Sequence, residues 1–185
     1  MRKLTSQIQI TLDGYVGGPA GEMDWMKMPW SADLTKRVDQ ITSNIDCILL
    51  GRKLAEGFIP YWASVADNPG NPEQKAGQQF TNAKKVVFSR TMTDSKWNNT
   101  TISNDVVSEV TKLKNQPGKD LIVYGGATLV SSLIEKQLID ELNLFVNPAA
   151  LGKGLAIFND RKNYQLISAT PYDCGIVGLV MKPVG

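Results

Sequence analysis

The chain has 185 residues, of which 42% are hydrophobic and 21% charged, a balance typical of one soluble domain with a core large enough to fold unaided. We therefore expect residues 1–185 to form a single domain. The net charge is only +2 and the basic residues are scattered, which argues against nucleic acid or an anionic membrane as a partner. Without a long apolar run or a signal-peptide core, the sequence predicts a cytoplasmic protein that acts on a small molecule.

The sequence contains no histidine, which removes the Ser/His/Asp and Cys/His catalytic arrangements and the ordinary His-based zinc sites. Its two cysteines, Cys47 and Cys174, lie in apolar strand-like segments, and we assign neither a chemical role nor a metal. Any proton transfer must therefore use a carboxylate, a tyrosine, a lysine or water.

The N-terminal segment 7–12 alternates polar and apolar residues and predicts a strand that ends at the turn pair Asp13-Gly14. The following residues, as far as Trp30, predict a loop. Ser31 is the expected N-cap of a helix whose apolar residues keep helical spacing at Leu34, Val38, Ile41 and Ile45.

The middle of the chain predicts a buried strand over residues 46–50, a short helix over 51–57 and a surface loop over 58–82. The loop is predicted because this stretch is rich in Pro, Gly and Asn and has no sustained period. The later elements are a strand at 84–89, a short strand near Thr100, a helix at 106–113, a strand at 121–124, a helix at 129–137, a strand at 140–146 and a hairpin of 164–170 with 174–182. Alternating strands and helices followed by a hairpin indicate an α/β fold with a mostly parallel sheet and an antiparallel edge.

A pair of glycines, Gly125 and Gly126, joins a buried strand to a helix. Such a turn presents bare backbone amides and the positive end of a helix, which suits a phosphate. Alone this is weak evidence, because many strand-to-helix turns bind nothing. Two more strand ends, at Gly51-Arg52 and at Ser89, favour a nucleotide that lies across all three.

Six short motifs follow one another along the chain: Leu12-Asp13-Gly14, Pro29-Trp30, Leu50-Gly51-Arg52, Phe88-Ser89-Arg90, Gly125-Gly126 and Pro148-Ala-Ala-Leu-Gly152. This ordered set resembles the dihydrofolate reductase superfamily, and most closely the bacterial branch that includes the reductase domain of the riboflavin-biosynthesis deaminase/reductase. The resemblance covers nearly the whole chain. It implies a three-layer sandwich in which helices cover both faces of a mostly parallel central sheet with a C-terminal antiparallel hairpin.

The resemblance also implies NADPH as the cofactor. Gly51, Arg52 and Lys53 match a helix start that holds a cofactor phosphate, and Ser89 with Arg90 matches the pair that grips the adenosine 2′-phosphate. The other implied cofactor positions are Val16 and Gly17 beside the nicotinamide, and Tyr124, Gly125, Gly126, Ala127, Thr128 and Leu129 around the pyrophosphate turn. One position departs from the family pattern, since Leu54 stands where a phosphate-binding threonine is frequent.

Two carboxylates are the catalytic candidates. Asp33 lies in a segment that resembles the one carrying the buried acid of dihydrofolate reductase, and Asp13 lies on the loop that would face the nicotinamide. Each has a structural alternative: Asp33 suits the first turn of a helix electrostatically, and Asp13 suits a turn.

The implied activity is NADPH-dependent reduction of a C=N or C=O group in a small heterocyclic, pterin- or pyrimidine-like substrate. Two alternatives stay open: an NADP- or pterin-binding module with little or no turnover, and an α/β domain without a cofactor. Relatives of this kind are often dimers, and the apolar segment 142–151 with the C-terminal hairpin is the candidate interface.

Overall fold

A computed structural model describes residues 1–184 of the chain. The strands within these residues are β1 Leu4–Thr11, β2 Tyr15–Gly17, β3 Ile45–Gly51, β4 Lys84–Phe88, β5 Thr100–Ser103, β6 Asp120–Tyr124, β7 Glu141–Asn147, β8 Leu155–Ala156, β9 Tyr164–Pro171 and β10 Val177–Pro183. The helices are α1 Ala32–Ser43, α2 Arg52–Ala66, α3 Gln74–Asn82, α4 Val106–Asn115 and α5 Ala127–Glu135.

Eight strands form one sheet in the order β5-β4-β3-β6-β1-β7-β10-β9, while β2 and β8 pair separately in a small antiparallel ribbon. Neighbouring strands from β5 to β7 run parallel, and β10 and β9 are antiparallel additions at one edge. The predicted α/β class, with its mostly parallel sheet and C-terminal hairpin, is confirmed.

Helices cover both faces of the sheet. One face packs against α4 and α5 through residues such as Val110 and Leu133. The other packs against α1, α2 and α3 through Leu34, Ala55 and Phe80. Central strands such as β3 are therefore buried on both sides, which explains their continuous runs of apolar residues.

The prediction of a surface loop over residues 58–82 is wrong. Helix α2 continues through Pro60 to Ala66, and α3 follows after a turn. Aromatic packing outweighs the local composition here: Trp62 and Phe80 bring α2 and α3 together with ring centroids 4.5 Å apart. Pro69, Gly70 and Pro72 lie in the turn between the two helices, whereas Pro60 and Gly77 lie within them.

The C-terminal hairpin leaves an exposed edge. Leu166 and Ile167 of β9 are 54% and 47% exposed, whereas Leu142 and Phe145 of β7 belong to the core. A dimer stays a prediction; of the two parts of its predicted interface, the C-terminal hairpin exposes apolar side chains, whereas Leu142 and Phe145 of the segment 142–151 are buried.

We expect Gly77→Ala to destabilise the fold, because a Cβ there would lie 2.6 Å from the Ala66 nitrogen and 2.9 Å from Val65 Cγ1. Overpacking of this kind lowers the free energy of unfolding by about 1–3 kcal/mol. Gly57→Ala is the matched control, since it adds a methyl to a helix interior with nothing within 4 Å. Gly57→Ala should raise the free energy of unfolding by roughly 0.5–1 kcal/mol. Urea unfolding measures both, and effects of the same sign would contradict the close packing of α2 against α3.

Candidate functional site

Three adjacent parallel strands end at the same level of the sheet. Gly51 of β3 pairs with Phe88 of β4, and Leu50 pairs with Tyr124 of β6. The residues that follow, including Ser89 and Gly125, therefore lie side by side at the carboxyl edge. In open α/β sheets, ligands bind at this edge. The structure thus brings together the three strand ends that the sequence predicted to share one ligand.

The glycine pair forms a turn that only glycine adopts readily. Gly125 and Gly126 have φ angles of 32° and 81°, and α5 begins directly afterwards without a side-chain cap. The first amides of a helix have no acceptor within the helix, so the N–H groups of Ala127 and Thr128 are free for a ligand. With the positive end of the helix dipole, they form a suitable site for an anion.

A second helix starts beside the first. Helix α2 begins after Gly51, again without a side-chain cap, and a Cβ on Gly51 would lie 3.8 Å from Leu129 Cβ. A Cβ on Gly125 would lie 3.3 Å from Leu54 Cδ2, so the leucine that replaces the family's threonine packs against the turn. The side chain of Leu129 is buried in the core, which limits its predicted cofactor contact to the backbone.

Cationic side chains surround this edge. Arg52 pairs with Glu56 through Nη1 and Oε1 at 2.7 Å, and both side chains are partly exposed. Lys53 and Arg90 are exposed and form no ion pair within residues 1–184.

Ser89 shapes the turn after β4. Its Oγ accepts hydrogen bonds from the amides of Thr91 at 3.2 Å and Met92 at 3.0 Å. The Ser89 hydroxyl also lies 3.4 Å from Thr91 Oγ1, and either hydroxyl can be the donor in that contact, so a ligand could accept the Ser89 proton in place of Thr91. A hydroxyl donor beside Arg90 is the arrangement that the sequence predicted for a phosphate.

Val16 and Gly17 lie in the ribbon of β2 and β8, and β8 packs against α5. Val16 packs on the same apolar cluster as Ala127. The carbonyl of Gly17 approaches Gly154 so closely that Gly154 has no room for a Cβ. This ribbon forms a border of the carboxyl edge.

Tyr124 was predicted to lie at the cofactor site, but its side chain packs into an aromatic cluster of the core. Its ring packs beside Phe58 and Phe80, with centroids 5.3 Å and 5.7 Å away, rather than toward the glycine turn. Its hydroxyl is buried without a hydrogen-bond partner, so it does not cap a backbone group either. Burial raises the pKa of this phenol well above its ordinary value.

Asp13 connects two loops at the carboxyl edge. Its carboxylate accepts hydrogen bonds from Thr11 Oγ1 at 2.6 Å, from the Gly152 amide at 2.7 Å and from the Leu151 amide at 3.0 Å. The Thr11 hydroxyl and then the Gly152 amide hold the pKa of Asp13 below its usual value. This carboxylate is therefore ionised near neutral pH.

Asp33 connects the start of α1 to the turn between β9 and β10. Its two oxygens accept hydrogen bonds from the Leu34 amide at 2.8 Å and the Asp173 amide at 3.1 Å. The Ser31 hydroxyl and then the Asp173 amide lower the pKa of Asp33. Both carboxylates are therefore ionised near neutral pH in the ligand-free chain. Their catalytic roles stay predictions.

The sequence analysis missed a polar row on the face that α1 covers. Gln9 Oε1 accepts a hydrogen bond from Asn147 Nδ2 at 2.8 Å, while Gln9 Nε2, Gln7 Oε1 and Trp30 Nε1 are buried without partners. The available signal was the alternation of Gln7 and Gln9 along β1, which places amides on a covered face. Buried polar atoms without partners are uncommon in folded proteins and call for an explanation.

Within residues 1–184, no group of three or more His, Cys, Asp and Glu side chains is arranged to hold a metal ion. Over the same range, no helix combines the length and the apolar character needed to cross a membrane.

The fold and the ordered strand ends define a member of the dihydrofolate reductase-like superfamily. Residues 2–177 match the RibD C-terminal domain model, and the chain belongs to that family. It is 33% identical over 184 residues to the uncharacterized protein YyaP of Bacillus subtilis, covering 97% of this chain and 94% of that protein. It is 24% identical over 168 residues to the uncharacterized protein YwjB of the same organism, covering 88% and 86%.

Solved structures show the same fold at low identity. A putative riboflavin biosynthesis protein from Shewanella sp. PV-4 superposes with a TM-score of 0.76 at 18% identity, and the match covers 100% of both chains. A diaminohydroxyphosphoribosylaminopyrimidine deaminase/5-amino-6-(5-phosphoribosylamino)uracil reductase from Thermotoga maritima gives a TM-score of 0.69 at 18% identity. That match covers 99% of this chain but 57% of the Thermotoga chain.

We expect Tyr124→Phe to leave the dissociation constant for NADPH unchanged, because the hydroxyl lies in the aromatic layer. Removal of a buried hydroxyl without a partner should keep the free energy of unfolding constant or raise it by up to about 1 kcal/mol. Calorimetric titration and urea unfolding measure the two quantities. A large loss of NADPH affinity in a stable variant would restore Tyr124 to the cofactor site.

We expect the contribution of Asp13 to stability to depend on pH in the direction set by its lowered pKa. Above the ordinary value of 3.8 the carboxylate is ionised in both states and its hydrogen bonds stabilise the folded chain in full. The folded-state pKa lies below 3.8, so as the pH falls through it the Asp13 carboxylate of the folded chain is protonated and this contribution is lost. Asp13→Asn should therefore lower the Tm near pH 7 by more than it does near pH 3. A Tm difference that is the same at both pH values would contradict this sign.

Proposed function

We propose that this protein is an NADPH-dependent reductase that transfers hydride to a C=N or C=O group of a small heterocyclic, pterin- or pyrimidine-like substrate. One observation carries the proposal: β4, β3 and β6 end at one level, where two uncapped helix N-termini meet a hydroxyl and exposed cations. Membership of the RibD C-terminal domain family supports it.

The donors at the edge fit the anionic parts of NADPH. The glycine turn and the amides of Ala127 and Thr128 would hold the pyrophosphate. The Ser89 hydroxyl with the Arg90 guanidinium would hold the 2′-phosphate, because a planar fork of N–H groups matches phosphate oxygens. Arg52 would add positive charge beside the 2′-phosphate. Its guanidinium also pairs with the Glu56 carboxylate.

When bound, the cofactor supplies the hydride from its nicotinamide C4. The chain contributes geometry: the ribbon with Val16 and Gly17 would border the nicotinamide and limit water access. The carboxylates of Asp13 and Asp33 already accept hydrogen bonds from backbone amides of neighbouring loops, so we infer that water delivers the proton and that Asp33 positions the start of α1.

The polar row on β1 supports the choice of a heterocyclic substrate. Gln7 offers an unpaired acceptor, and Gln9 and Trp30 offer unpaired N–H donors. Each such buried group costs roughly 1–3 kcal/mol until it finds a partner. The edge of a pterin or a pyrimidine carries both donors and acceptors, so it would satisfy groups of both kinds.

Cofactor recognition is tested by Arg90→Ala with Arg161→Ala as the matched control, since both arginines are exposed and Arg161 lies outside the proposed site. Loss of a charge-assisted phosphate contact should weaken NADPH about 10- to 100-fold. NADH lacks the 2′-phosphate and should bind both variants as it binds the parent. Calorimetric titration of each variant with NADPH and with NADH measures these affinities. Equal losses of affinity for NADPH and NADH in Arg90→Ala would remove Arg90 from the site.

Turnover separates the reductase from the alternative of an NADP- or pterin-binding module. We expect NADPH absorbance to fall with time when dihydrofolate or 5-amino-6-(5-phosphoribosylamino)uracil is added, the latter being the substrate in the name of the Thermotoga protein. Asp33→Asn should keep NADPH affinity, and a lower rate in that variant would assign Asp33 to the substrate side. NADPH binding without oxidation by a panel of pterins and pyrimidines would favour the binding module.

A further inference from the structure

A cavity beside α2 lies away from the carboxyl edge of the sheet. It has a volume of about 280 Å³, is open to solvent on one side and is lined by residues of α2, α3, β4 and the loop between β4 and β5. Four aromatic side chains line it: Phe58, Trp62, Phe80 and Trp97. The proposed function leaves this cavity without a role.

The cavity is separate from the cofactor edge. Lys85, which lines it, is the second residue of β4 and pairs with Ile48 and Thr100. Ser89 and Arg90 follow the opposite end of that strand, and four residues of extended chain span roughly 13 Å. None of the residues predicted to hold the cofactor lines the cavity.

The walls suit a flat aromatic molecule. Trp62 and Phe80 have ring centroids 4.5 Å apart, and Phe58 lies 5.8 Å from Phe80 in an edge-to-face arrangement. Aromatic rings bind further rings in offset or edge-to-face contacts. Since an apolar cavity of about 150 Å³ holds benzene, the present volume has room for two fused rings.

One polar atom of the lining has no partner. Thr81 Oγ1 is buried and forms no hydrogen bond. Lys85 cannot serve it, because the three protons of its ammonium group go to the carbonyls of Phe80, Thr81 and Ala83 at 3.0, 2.9 and 2.7 Å. Because Thr81 Oγ1 has almost no accessible surface, a ligand acceptor would pair with it only after the Thr81 side chain rotates toward the cavity.

The charge of the lining is positive. Lys85 and Lys96 both line the cavity, and no acidic residue does. Lys96 is exposed, its Nζ lies 5.3 Å from the centroid of the Trp97 ring, and it forms no ion pair within residues 1–184. Charge complementarity therefore favours a ligand that carries one negative charge.

We propose that this cavity is a binding site for a small aromatic carboxylate of about two fused rings. The rings lie among Trp62, Phe80 and Trp97. The acid group accepts a hydrogen bond from the Thr81 hydroxyl, and its charge lies toward Lys96. The site is independent of the cofactor, so its ligand binds whether or not NADPH is present.

Calorimetric titration with 2-naphthoate and its neutral twin 2-naphthamide tests the proposal. Both compounds should bind saturably, and the carboxylate should bind roughly threefold to fivefold more tightly because of Lys96. Lys96→Gln should remove this preference, since it keeps the shape of the side chain and deletes its charge. Thr81→Val should weaken both compounds, because each offers an acceptor to the hydroxyl.

A pair of neighbouring substitutions on α2 locates the site. Ala63 lines the cavity, so Ala63→Leu should fill it and abolish binding. Ser64 is exposed, so Ser64→Leu adds a leucine outside the cavity and should leave binding intact. Lys96→Gln lies at an exposed position and decides the charge requirement even if Ala63→Leu does not fold.

The proposal would be overturned by no saturable heat with either compound, by an unchanged preference for naphthoate in Lys96→Gln, or by full binding in a folded Ala63→Leu. The same titration with NADPH present should give the same dissociation constants. Competition by NADPH would assign the compounds to the cofactor edge instead. These titrations measure binding of the naphthalene compounds alone, so their outcomes do not depend on whether the protein oxidises NADPH.

Discussion

The pairing of β3 with both β4 and β6 is the constraint on which the candidate site depends. It sets the level at which three strands end, and thereby places Gly51 beside the Gly125 turn. Two helix N-termini then point to one region of the surface without a capping side chain between them. A register shift of one residue would turn each strand over and separate these ends, so the hydrophobic core and the anion site are specified by the same hydrogen bonds.

Local features of this arrangement could be predicted from the sequence. Continuous apolar runs marked the buried strands, and the Gly125-Gly126 pair marked a turn that requires positive φ angles. The order of these features along the chain indicated the dihydrofolate reductase-like fold. Each of these signals lies within a few residues, which is why it could be found without knowledge of the packing.

Features that depend on distant contacts could not be predicted in the same way. The stretch at 58–82 is helical because Trp62 and Phe80 meet across two helices, against the tendency of its composition. Tyr124 and Leu129 flank the glycine turn in sequence, yet their side chains enter two different apolar clusters. Proximity to a motif fixes where a backbone lies, whereas the face to which a side chain points depends on the rest of the sheet.

The hydrogen bonds of Asp13 have a consequence for access to the carboxyl edge. They join the loop after β1 to the amides of Leu151 and Gly152, which are 138 and 139 positions away along the chain. The loops on either side of the β2–β8 ribbon are thus held by one carboxylate. Separation of the two loops therefore requires the loss of these hydrogen bonds, so the position of each loop at this border is coupled to that of the other.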